Sequence, residues 1–223
     1  MRESDPFLPP GVPEAYRAEV SLVLSDREKF VSLLQIKHKE LKRFVQFEPN
    51  DAQRGLWSLL DEHNRVIVVK ARQVGISTAV RAHQFWRAFV SHDPETYAVL
   101  SYHASSAKKL RQVCDSRWLK DLPGFLAREY EVNNAEDTVF DDTKAGFQAF
   151  TVGGKGGTRS FEFSGCHLTE FAYYDDPTGT LAQADATVGQ GPLVIESTAR
   201  VPGDKFHQLS AGAPENGWRV FTY

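Results

Sequence analysis

From residue 66 onward, the apolar residues fall into short runs that alternate with helical patterns. The clearest run, 66–69, is continuous and β-branched, which is typical of a strand buried on both faces of a parallel sheet. The other candidate strands cover 97–101, 161–168, 193–195 and 220–221, and the candidate helices cover 77–90 and 105–119. Charged and glycine residues at 142–146 mark a turn between shorter antiparallel strands in 136–163. This alternation predicts an α/β fold with a mostly parallel, doubly wound sheet flanked by helices.

The first 47 residues follow a different pattern. Four prolines and a glycine within 1–15 predict an extended arm. Lys, Glu, Leu and Arg then dominate a helical pattern from 15 to 47, and Asn50 or Asp51 predicts the N-cap of a helix that runs through Leu60. We therefore expect an N-terminal arm and helical appendage at 1–47 and the α/β domain at 48–223.

Composition narrows the class of protein. The 223 residues carry 26 Lys+Arg against 29 Asp+Glu, and 41% are hydrophobic, which is ordinary for a globular protein and excludes extensive disorder. No run approaches the roughly 20 apolar residues of a membrane span. Residues 1–13 contain no apolar stretch, so no secretory signal is expected. The net charge of −3 argues against a broad DNA-coating surface, but it allows a local basic stripe or a ring that shares its DNA contacts.

Two further expectations come from the cysteines and from the end of the chain. Cys114 and Cys166 lie far apart without a C-x-x-C spacing, which predicts reduced, buried thiols in a cytosolic protein. The chain stops within the candidate strand 220–221, so we expect it to be part of a longer polypeptide.

The segment 70–78, Lys-Ala-Arg-Gln-Val-Gly-Ile-Ser-Thr, follows the first buried strand and compares with the phosphate-binding loop G-x-x-x-x-G-K-[ST]. Gly75 matches the second glycine and Ser77 the hydroxyl, while Ile76 takes the lysine position and Lys70 the first glycine. Backbone N–H groups supply most of such an anion cradle, and a lysine on its flexible stem can reach the phosphates from the start of the loop. We predict that Lys70 replaces the missing lysine and that Ser77 holds Mg²⁺. The alternative is a plain strand-to-helix turn with solvated cations.

A catalytic carboxylate is expected at the end of a second core strand, where it can orient water against a phosphate. Glu170 follows the strand 161–168 directly, and Thr169 stands where an Asp usually precedes it. The alternative is a solvated loop residue. The pair Asp175-Asp176 suits a helix cap before Pro177 better than a metal pair.

Two other segments fit the same scheme less specifically. The run 153–159, Gly-Gly-Lys-Gly-Gly-Thr-Arg, is either a flexible hairpin loop or a loop that delivers Arg159 to a phosphate or to DNA. Gln53 could bind an adenine edge through its amide, although an exposed Gln is the commoner case. The segment 196–199, Glu-Ser-Thr-Ala, ends the strand 193–195, where open α/β sheets bind ligands, or it is a strand-end turn.

Taken in order, these segments resemble the ATPase domain of the large terminase subunit of tailed bacteriophages, over about residues 30–223. The matching segments are Phe47 with Gln53 (adenine motif), 70–78 (a deviant phosphate loop of the form K-x-R-Q-x-G-x-S-T), 167–172 (second motif) and 195–199 (coupling motif). The resemblance implies a P-loop core that binds ATP and Mg²⁺ and drives double-stranded DNA into a procapsid, in the host cell cytoplasm. It also implies a ring on the portal protein and a small terminase subunit as partner. We further predict that the isolated chain is a monomer.

The resemblance assigns roles residue by residue. The implied nucleotide-binding residues are Gln53, Lys70, Arg72, Gln73, Val74, Gly75, Ile76, Ser77 and Thr78. The implied catalytic residues are Lys70, Glu170 and Arg159. The four glycines of 153–157 suggest a loop that is poorly preorganised within one chain, so we predict that Arg159 is an arginine finger that acts on the neighbouring subunit. The implied metal-binding residues are Ser77 and Glu170, and the implied coupling residues are Ser197 and Thr198.

The sequence departs from the family pattern in three ways. Ile76 replaces the usual lysine, which makes Lys70 indispensable, and Thr169 replaces the usual Asp, which makes the metal depend on Ser77. The family's C-terminal nuclease domain has no counterpart, so no nuclease activity is expected of this chain. The alternative function is a degenerate P-loop scaffold or DNA-binding module without efficient hydrolysis. A helicase-like translocase is disfavoured, because 223 residues offer no second RecA-like domain.

Overall fold

A computed structural model describes residues 5–38, 40–72, 74–151 and 162–223. The α-helices of this part of the chain are α1 (Arg17–Leu24), α2 (Arg27–Val31), α3 (Asp51–Glu62), α4 (Ile76–Val90), α5 (Ala104–Val113), α6 (Asp115–Asp121), α7 (Pro177–Val188) and α8 (Lys205–Ala211). Its strands are β1 (Gln35–Lys37), β2 (Phe44–Gln46), β3 (Arg65–Val69), β4 (Thr96–Ser101), β5 (Tyr130–Asn133), β6 (Asp137–Phe140), β7 (Gly146–Thr151), β8 (Gly165–Thr169), β9 (Leu193–Ser197) and β10 (Arg219–Thr222). None of these helices combines the length and apolar character needed to cross a bilayer.

Eight strands form one sheet in the order β10-β3-β9-β8-β4-β7-β6-β5. All neighbours from β10 to β7 are parallel, while β6 is antiparallel to both β7 and β5. This confirms the predicted α/β fold with a mostly parallel sheet, and it confirms the antiparallel pair around the turn at 142–146. The predicted helix after Asn50 is also present, because Asn50 and Gln53 form a reciprocal capping box at the start of α3.

The sheet is covered on both faces, as a doubly wound architecture requires. On β3, Val66 and Val68 pack into the core formed with α3 and α4, while Ile67 points to the opposite face, into the core formed with α7 and α8. Every residue of β8 and of β9 is buried. A continuous apolar run such as 66–69 is what this two-sided burial demands.

The predicted helical pattern at 15–47 forms α1 and α2, which are separated at residues 25–26, and the prediction is wrong after Val31. Residues 35–46 instead form a hairpin in which Ile36 pairs with Val45. Leu34 and Phe47 flank the hairpin, are fully buried, and are joined by a hydrogen bond from Phe47 N to Leu34 O of 2.9 Å. Burial of these two flanking residues brings the ends of the segment together, which a straight helix cannot do.

The predicted helix at 105–119 is broken at Cys114, whose ψ of −87° ends α5 and begins α6. The break places Asp115 in the first turn of α6, where its buried carboxylate pairs with Arg81 of α4 at 2.5 Å. Both cysteines are free and buried, and burial raises the pKa of the Cys166 thiol to about 12. The sequence pattern does not predict the strand β5.

The N-terminal helices pack against the sheet domain through one shared core. Phe30 of α2 lies 5.2 Å from Phe89 of α4, measured between ring centroids. Arg27 donates hydrogen bonds to Asp61 of α3 and to His83 Nδ1 of α4, each at 2.7 Å. Burial, with help from Arg27, lowers the pKa of His83 well below its ordinary value. The division of the chain at residue 47 stays a prediction.

Candidate active site

The carboxyl ends of β3, β9 and β8 meet at one edge of the sheet, and the predicted site residues cluster there. The loop after β3 leads into α4, whose N-cap is Gly75 in the left-handed conformation, with φ of +79°. Glycine adopts this conformation without steric cost. A Cβ atom at this position would also lie only 2.7 Å from the amide nitrogen of Gln53. The second glycine of the loop motif is therefore required by both backbone conformation and space.

The side chain of Gln53 anchors this loop by a hydrogen bond to its backbone. Its Nε2 donates to the carbonyl of Gly75 at 3.0 Å, and its Oε1 accepts from the backbone N–H of Asn50 at 3.0 Å. The side chain is 4% exposed. The structure thus gives Gln53 a role in fixing the loop to the start of α3, while the adenine-binding role stays a prediction. Phe47 of the same motif is fully buried between the rings of Trp57 and Trp118.

Lys70 reaches the start of α4, although it stands at the front of the loop. Its Nζ donates to Ser77 Oγ at 2.9 Å and lies 3.1 Å from Glu196 Oε2. Ile76, which occupies the usual lysine position, is 1% exposed and belongs to the core. The side chain of Ile76 is therefore unable to contact a phosphate, and the ammonium of Lys70 is the cation beside Ser77.

Glu196 is the acidic partner at this point, and it is fully buried. Its Oε1 accepts hydrogen bonds from Ser77 Oγ at 2.5 Å and from Thr169 Oγ1 at 2.8 Å, and His167 Nε2 lies 3.2 Å away. Burial opposes ionisation of this carboxyl, but His167, Lys70 and the Ser77 hydroxyl outweigh it and hold the pKa of Glu196 well below its ordinary value. Burial lowers the pKa of His167, against the opposing influence of Glu196.

Glu170 directly follows β8, has a strained backbone conformation and is exposed. Its φ of 59° and ψ of 36° place a non-glycine residue in the left-handed region, which costs on the order of 1–3 kcal/mol and is typical of functional sites. It lines a cleft of about 530 Å³, together with Lys70, Arg72, Tyr102, His103, Tyr173 and Thr198. It also borders a second depression of about 330 Å³, next to Ser77 and Lys109. The carboxylate is thus positioned beside the loop and open to solvent.

The predicted coupling residues join the loop to the turn after Glu170. The carbonyl of Ser197 accepts from Lys70 N at 3.1 Å, and Ser197 Oγ accepts from Ala172 N at 3.3 Å. The hydroxyl of Thr198 lies 3.3 Å from the hydroxyl of Tyr173. These contacts connect β9 to both sides of the cleft, and the coupling role itself stays a prediction.

The remaining predicted residues fall into two groups. Arg72 is exposed on the wall of the cleft, Thr78 lies in the first turn of α4, and Val74 packs partly against the core. Gln73, Arg159 and the glycine-rich run 153–157 lie outside the described residues, so their predicted roles stay predictions.

The oxygen ligands at this edge suit Mg²⁺. Serine, threonine and carboxylate oxygens are hard ligands, and Mg²⁺ usually takes only one or two protein ligands beside phosphates and water. The described residues contain no cluster of three or more His, Cys, Asp and Glu side chains that could hold a metal ion. The Lys70 ammonium, which contacts both Ser77 and Glu196, occupies the place of a cation between them. Glu196 Oε2 is buried, and its charged partner is the Lys70 ammonium at 3.1 Å.

Sequence reasoning missed Glu196 and His167 as members of the site. The motif pattern assigns Glu196 to the coupling segment only and does not predict its contact with Ser77. The available signal is an acidic residue next to the apolar run 193–195, since a carboxylate that continues a buried strand needs a cation or hydroxyls as partners.

Comparisons with known proteins bear on the fold. Neither family models nor curated proteins gave a match to the sequence. Among solved structures, the HK97 bacteriophage large terminase is similar to this chain, with a TM-score of 0.73 and 11% sequence identity. The alignment covers 90% of this chain and 43% of the HK97 protein. The ATPase domain of the Thermus phage P74-26 large terminase matches 79% of this chain and 81% of its own, with a TM-score of 0.61 and 14% identity. This chain has the fold of a large terminase ATPase domain.

A third large terminase, from another thermophilic bacteriophage and solved in complex with ADP, matches 78% of this chain and 44% of its own, with a TM-score of 0.59 and 13% identity. This chain therefore spans less than half the length of the HK97 large terminase and of the ADP-bound one. The terminase-type fold accounts for the parallel sheet and for the position of the loop, and it confirms the fold that the sequence motifs implied.

Proposed function

We propose that this chain is the ATPase domain of a phage large terminase and hydrolyses ATP, with Mg²⁺, to move double-stranded DNA into a procapsid. The observation that carries the proposal is the meeting of Lys70, Ser77 and Glu170 at one edge of the sheet, beside an open cleft. The third of the large terminases compared above, which has the same fold, was solved with ADP and with ATP-gamma-S. That supports a nucleotide as the ligand of the cleft.

The first turn of α4 would bind the phosphates. The N–H groups of Ile76, Ser77 and Thr78 open the helix and lack partners within it, so an anion at this point is favoured by hydrogen bonds and by the helix dipole. Lys70 adds a positive charge beside Ser77, and Arg72 adds a second one on the cleft wall. Two cations and a helix N-terminus suit the charge of a nucleoside triphosphate.

Ser77 would hold Mg²⁺ through its hydroxyl oxygen, as the hydroxyl of a phosphate loop does. When bound, the metal neutralises the charge that gathers on the phosphate oxygens. Glu170, exposed at the rim and fixed by its strained backbone, would orient the attacking water and accept its proton. Because such a charge acts mainly in the transition state, Glu170 affects turnover more than binding.

The assembly we propose follows from the same function. The chain would form a homo-oligomeric ring on the portal protein, work with a small terminase subunit in the host cytoplasm, and be monomeric when isolated. Arg159 would act in trans, since a guanidinium next to the transferred phosphoryl group accelerates hydrolysis by roughly 10³–10⁵. The four glycines of 153–157 would let the chain approach an anion closely, which suits a residue that acts on the neighbouring subunit.

Steady-state ATP hydrolysis with DNA present, together with binding of ATP-gamma-S, tests the function. Glu170→Gln is expected to lower turnover by about 10²–10⁴-fold and to leave nucleotide affinity within a few-fold of the wild type. Asp175→Asn, at another exposed carboxylate five residues away, is the matched control and should retain full turnover. Turnover at background level in both the wild type and Glu170→Gln would support a degenerate scaffold or DNA-binding module instead, which Ile76 and Thr169 favour. Equal turnover above background would refute only the role of Glu170.

A further inference from the structure

Glu196 lies one strand closer to the phosphate loop than the position at which such sites usually carry their acidic residue. Strand β9 runs between β3 and β8, and Glu196 is level with Val68 on β3 and with Thr169 on β8. Thr169 occupies the usual aspartate position on β8. The carboxylate is therefore present at the same height of the sheet, but it comes from the neighbouring strand.

The hydrogen bonds at Glu196 orient the hydroxyl of Ser77. Ser77 Oγ donates its single hydrogen to Glu196 Oε1 at 2.5 Å, so both of its lone pairs remain for other partners. One lone pair accepts from Lys70 Nζ at 2.9 Å. A serine oxygen whose hydrogen is committed to a carboxylate presents only electron pairs to the loop. That is the state a metal ligand needs.

Thr169 supports the carboxylate rather than replacing it. Its hydroxyl donates to the same oxygen, Glu196 Oε1, at 2.8 Å. An aspartate at position 169 would instead set a second carboxylate against a fully buried one, and two like charges so close oppose each other's ionisation. The hydroxyl at 169 and the carboxylate at 196 therefore form a matched pair.

Burial of the Glu196 carboxylate carries a large desolvation free energy, which argues against a purely structural role. Its side chain is wholly inaccessible within a strand whose five residues are all buried. An isolated buried charge costs far more than an apolar residue of the same size, unless partners compensate it. Here the partners are Thr169 and His167 of β8 together with the loop lysine and the loop serine, and the last two belong to the proposed nucleotide site.

We propose that Glu196 is the positioning residue that fixes Ser77 as the Mg²⁺ ligand, and that β9 thus supplies the carboxylate that β8 lacks. This inference rests on the proposed ATPase function and deepens it. It also gives Thr169 a defined task, which is to hold the Glu196 carboxylate toward Ser77.

The test measures Mg²⁺ dependence of nucleotide binding by the full chain, with a fluorescent derivative of ATP-gamma-S as the probe. Magnesium is titrated into metal-free samples of the wild type, Glu196→Gln, Thr169→Asp and the double variant Thr169→Asp/Glu196→Gln. Loss of an outer-shell partner typically weakens metal affinity about 10–100-fold. Glu196→Gln should therefore raise the half-saturating Mg²⁺ concentration by at least about tenfold, with binding in EDTA no weaker than in the wild type.

The double variant separates positioning from general damage. It moves the carboxylate back to β8, so its half-saturating Mg²⁺ concentration should return toward the wild-type value, whereas a merely structural role for Glu196 predicts a further loss. Thr169→Asp alone should unfold at a lower temperature than the wild type. Asp175→Asn is the control and should match the wild type throughout.

Different outcomes refute different statements. A Glu196→Gln half-saturation within twofold of the wild type overturns the inference. Should Glu196→Gln fail to fold, wild-type stability of Thr169→Asp overturns it instead, because two adjacent buried carboxylates would then coexist without penalty. A wild type that binds no nucleotide refutes the proposed function, whereas a hydrolysing wild type with a normal Glu196→Gln refutes only the role of Glu196.

Discussion

A single methyl group added at the second glycine of the loop would meet two obstacles in this structure. Gly75→Ala places an L-residue at φ of +79°, in the left-handed region, and sets its Cβ 2.7 Å from Gln53 Nε2. The first obstacle is intrinsic to the backbone. The second depends on Gln53, whose amide bonds to the Gly75 carbonyl at 3.0 Å.

The two costs can be estimated separately. A left-handed L-residue costs roughly 1–2 kcal/mol. Relief of the clash moves the Gln53 amide and breaks its hydrogen bond to Gly75, which costs about 0.5–1.5 kcal/mol. Gly75→Ala is therefore expected to lower the free energy of unfolding by about 1.5–3.5 kcal/mol.

Urea unfolding of four proteins measures both parts: the wild type, Gly75→Ala, Gln53→Ala and the double variant. Gln53→Ala removes the clashing atom, so in that background Gly75→Ala should cost only the backbone part, and the coupling free energy should be about 1 kcal/mol. Strictly additive costs would refute the role assigned to Gln53. A Gly75→Ala protein within about 0.5 kcal/mol of the wild type, inside the ordinary range of surface substitutions, would refute the whole account.

Three further predictions concern the loop lysine, a buried histidine and the proposed finger. Lys70→Ala is expected to lower ATP turnover at least about 100-fold. Ile76→Val should lower the free energy of unfolding by only about 0.5–1.5 kcal/mol and keep turnover near the wild-type value. Equal losses of turnover in steady-state assays would contradict the assignment of the lysine role to Lys70. Because the folded chain holds the pKa of His83 below its ordinary value, the free energy of unfolding should be unaffected by His83 above about pH 6.5 and should decrease as the pH falls below it. Urea unfolding across about pH 5–8 should show a smaller pH dependence in His83→Gln than in the wild type, and an unchanged pH dependence would exclude His83 as its source. Arg159→Ala mixed with Glu170→Ala should regain part of the lost ATPase activity in assembled rings, and a mixture that stays inactive while wild-type rings hydrolyse ATP would exclude action in trans.

The strands could be predicted where burial on both faces requires a continuous run of apolar residues. A run such as 66–69 has to be apolar on both faces, so its pattern alone indicates a central parallel strand. The hairpin at 35–46 leaves no such trace. Leu41 and Phe44, which look like one face of a helix, are exposed at 53% and 41%, and the buried Leu34 and Phe47 lie outside the hairpin itself.

The loop residues of the site could be predicted from the sequence, but the contact between Ser77 and Glu196 could not. Gly75 and Ser77 stand at fixed spacings after a strand, and those spacings are a property of the sequence. The contact between Ser77 and Glu196 joins residues 119 positions apart and depends on the order β3-β9-β8 in the sheet. No local pattern encodes that order, so Glu196 emerged only from the structure.

Ser197 sets the spacing between the two halves of the proposed reaction. Its carbonyl is tied to the first residue of the loop, Lys70, and its hydroxyl to Ala172, two residues beyond Glu170. Both attachments belong to one buried residue, so a small slide or twist of β9 carries the loop and the Glu170 turn in the same direction. In the proposed reaction, the alignment of water with phosphate would therefore depend on the position of this one residue.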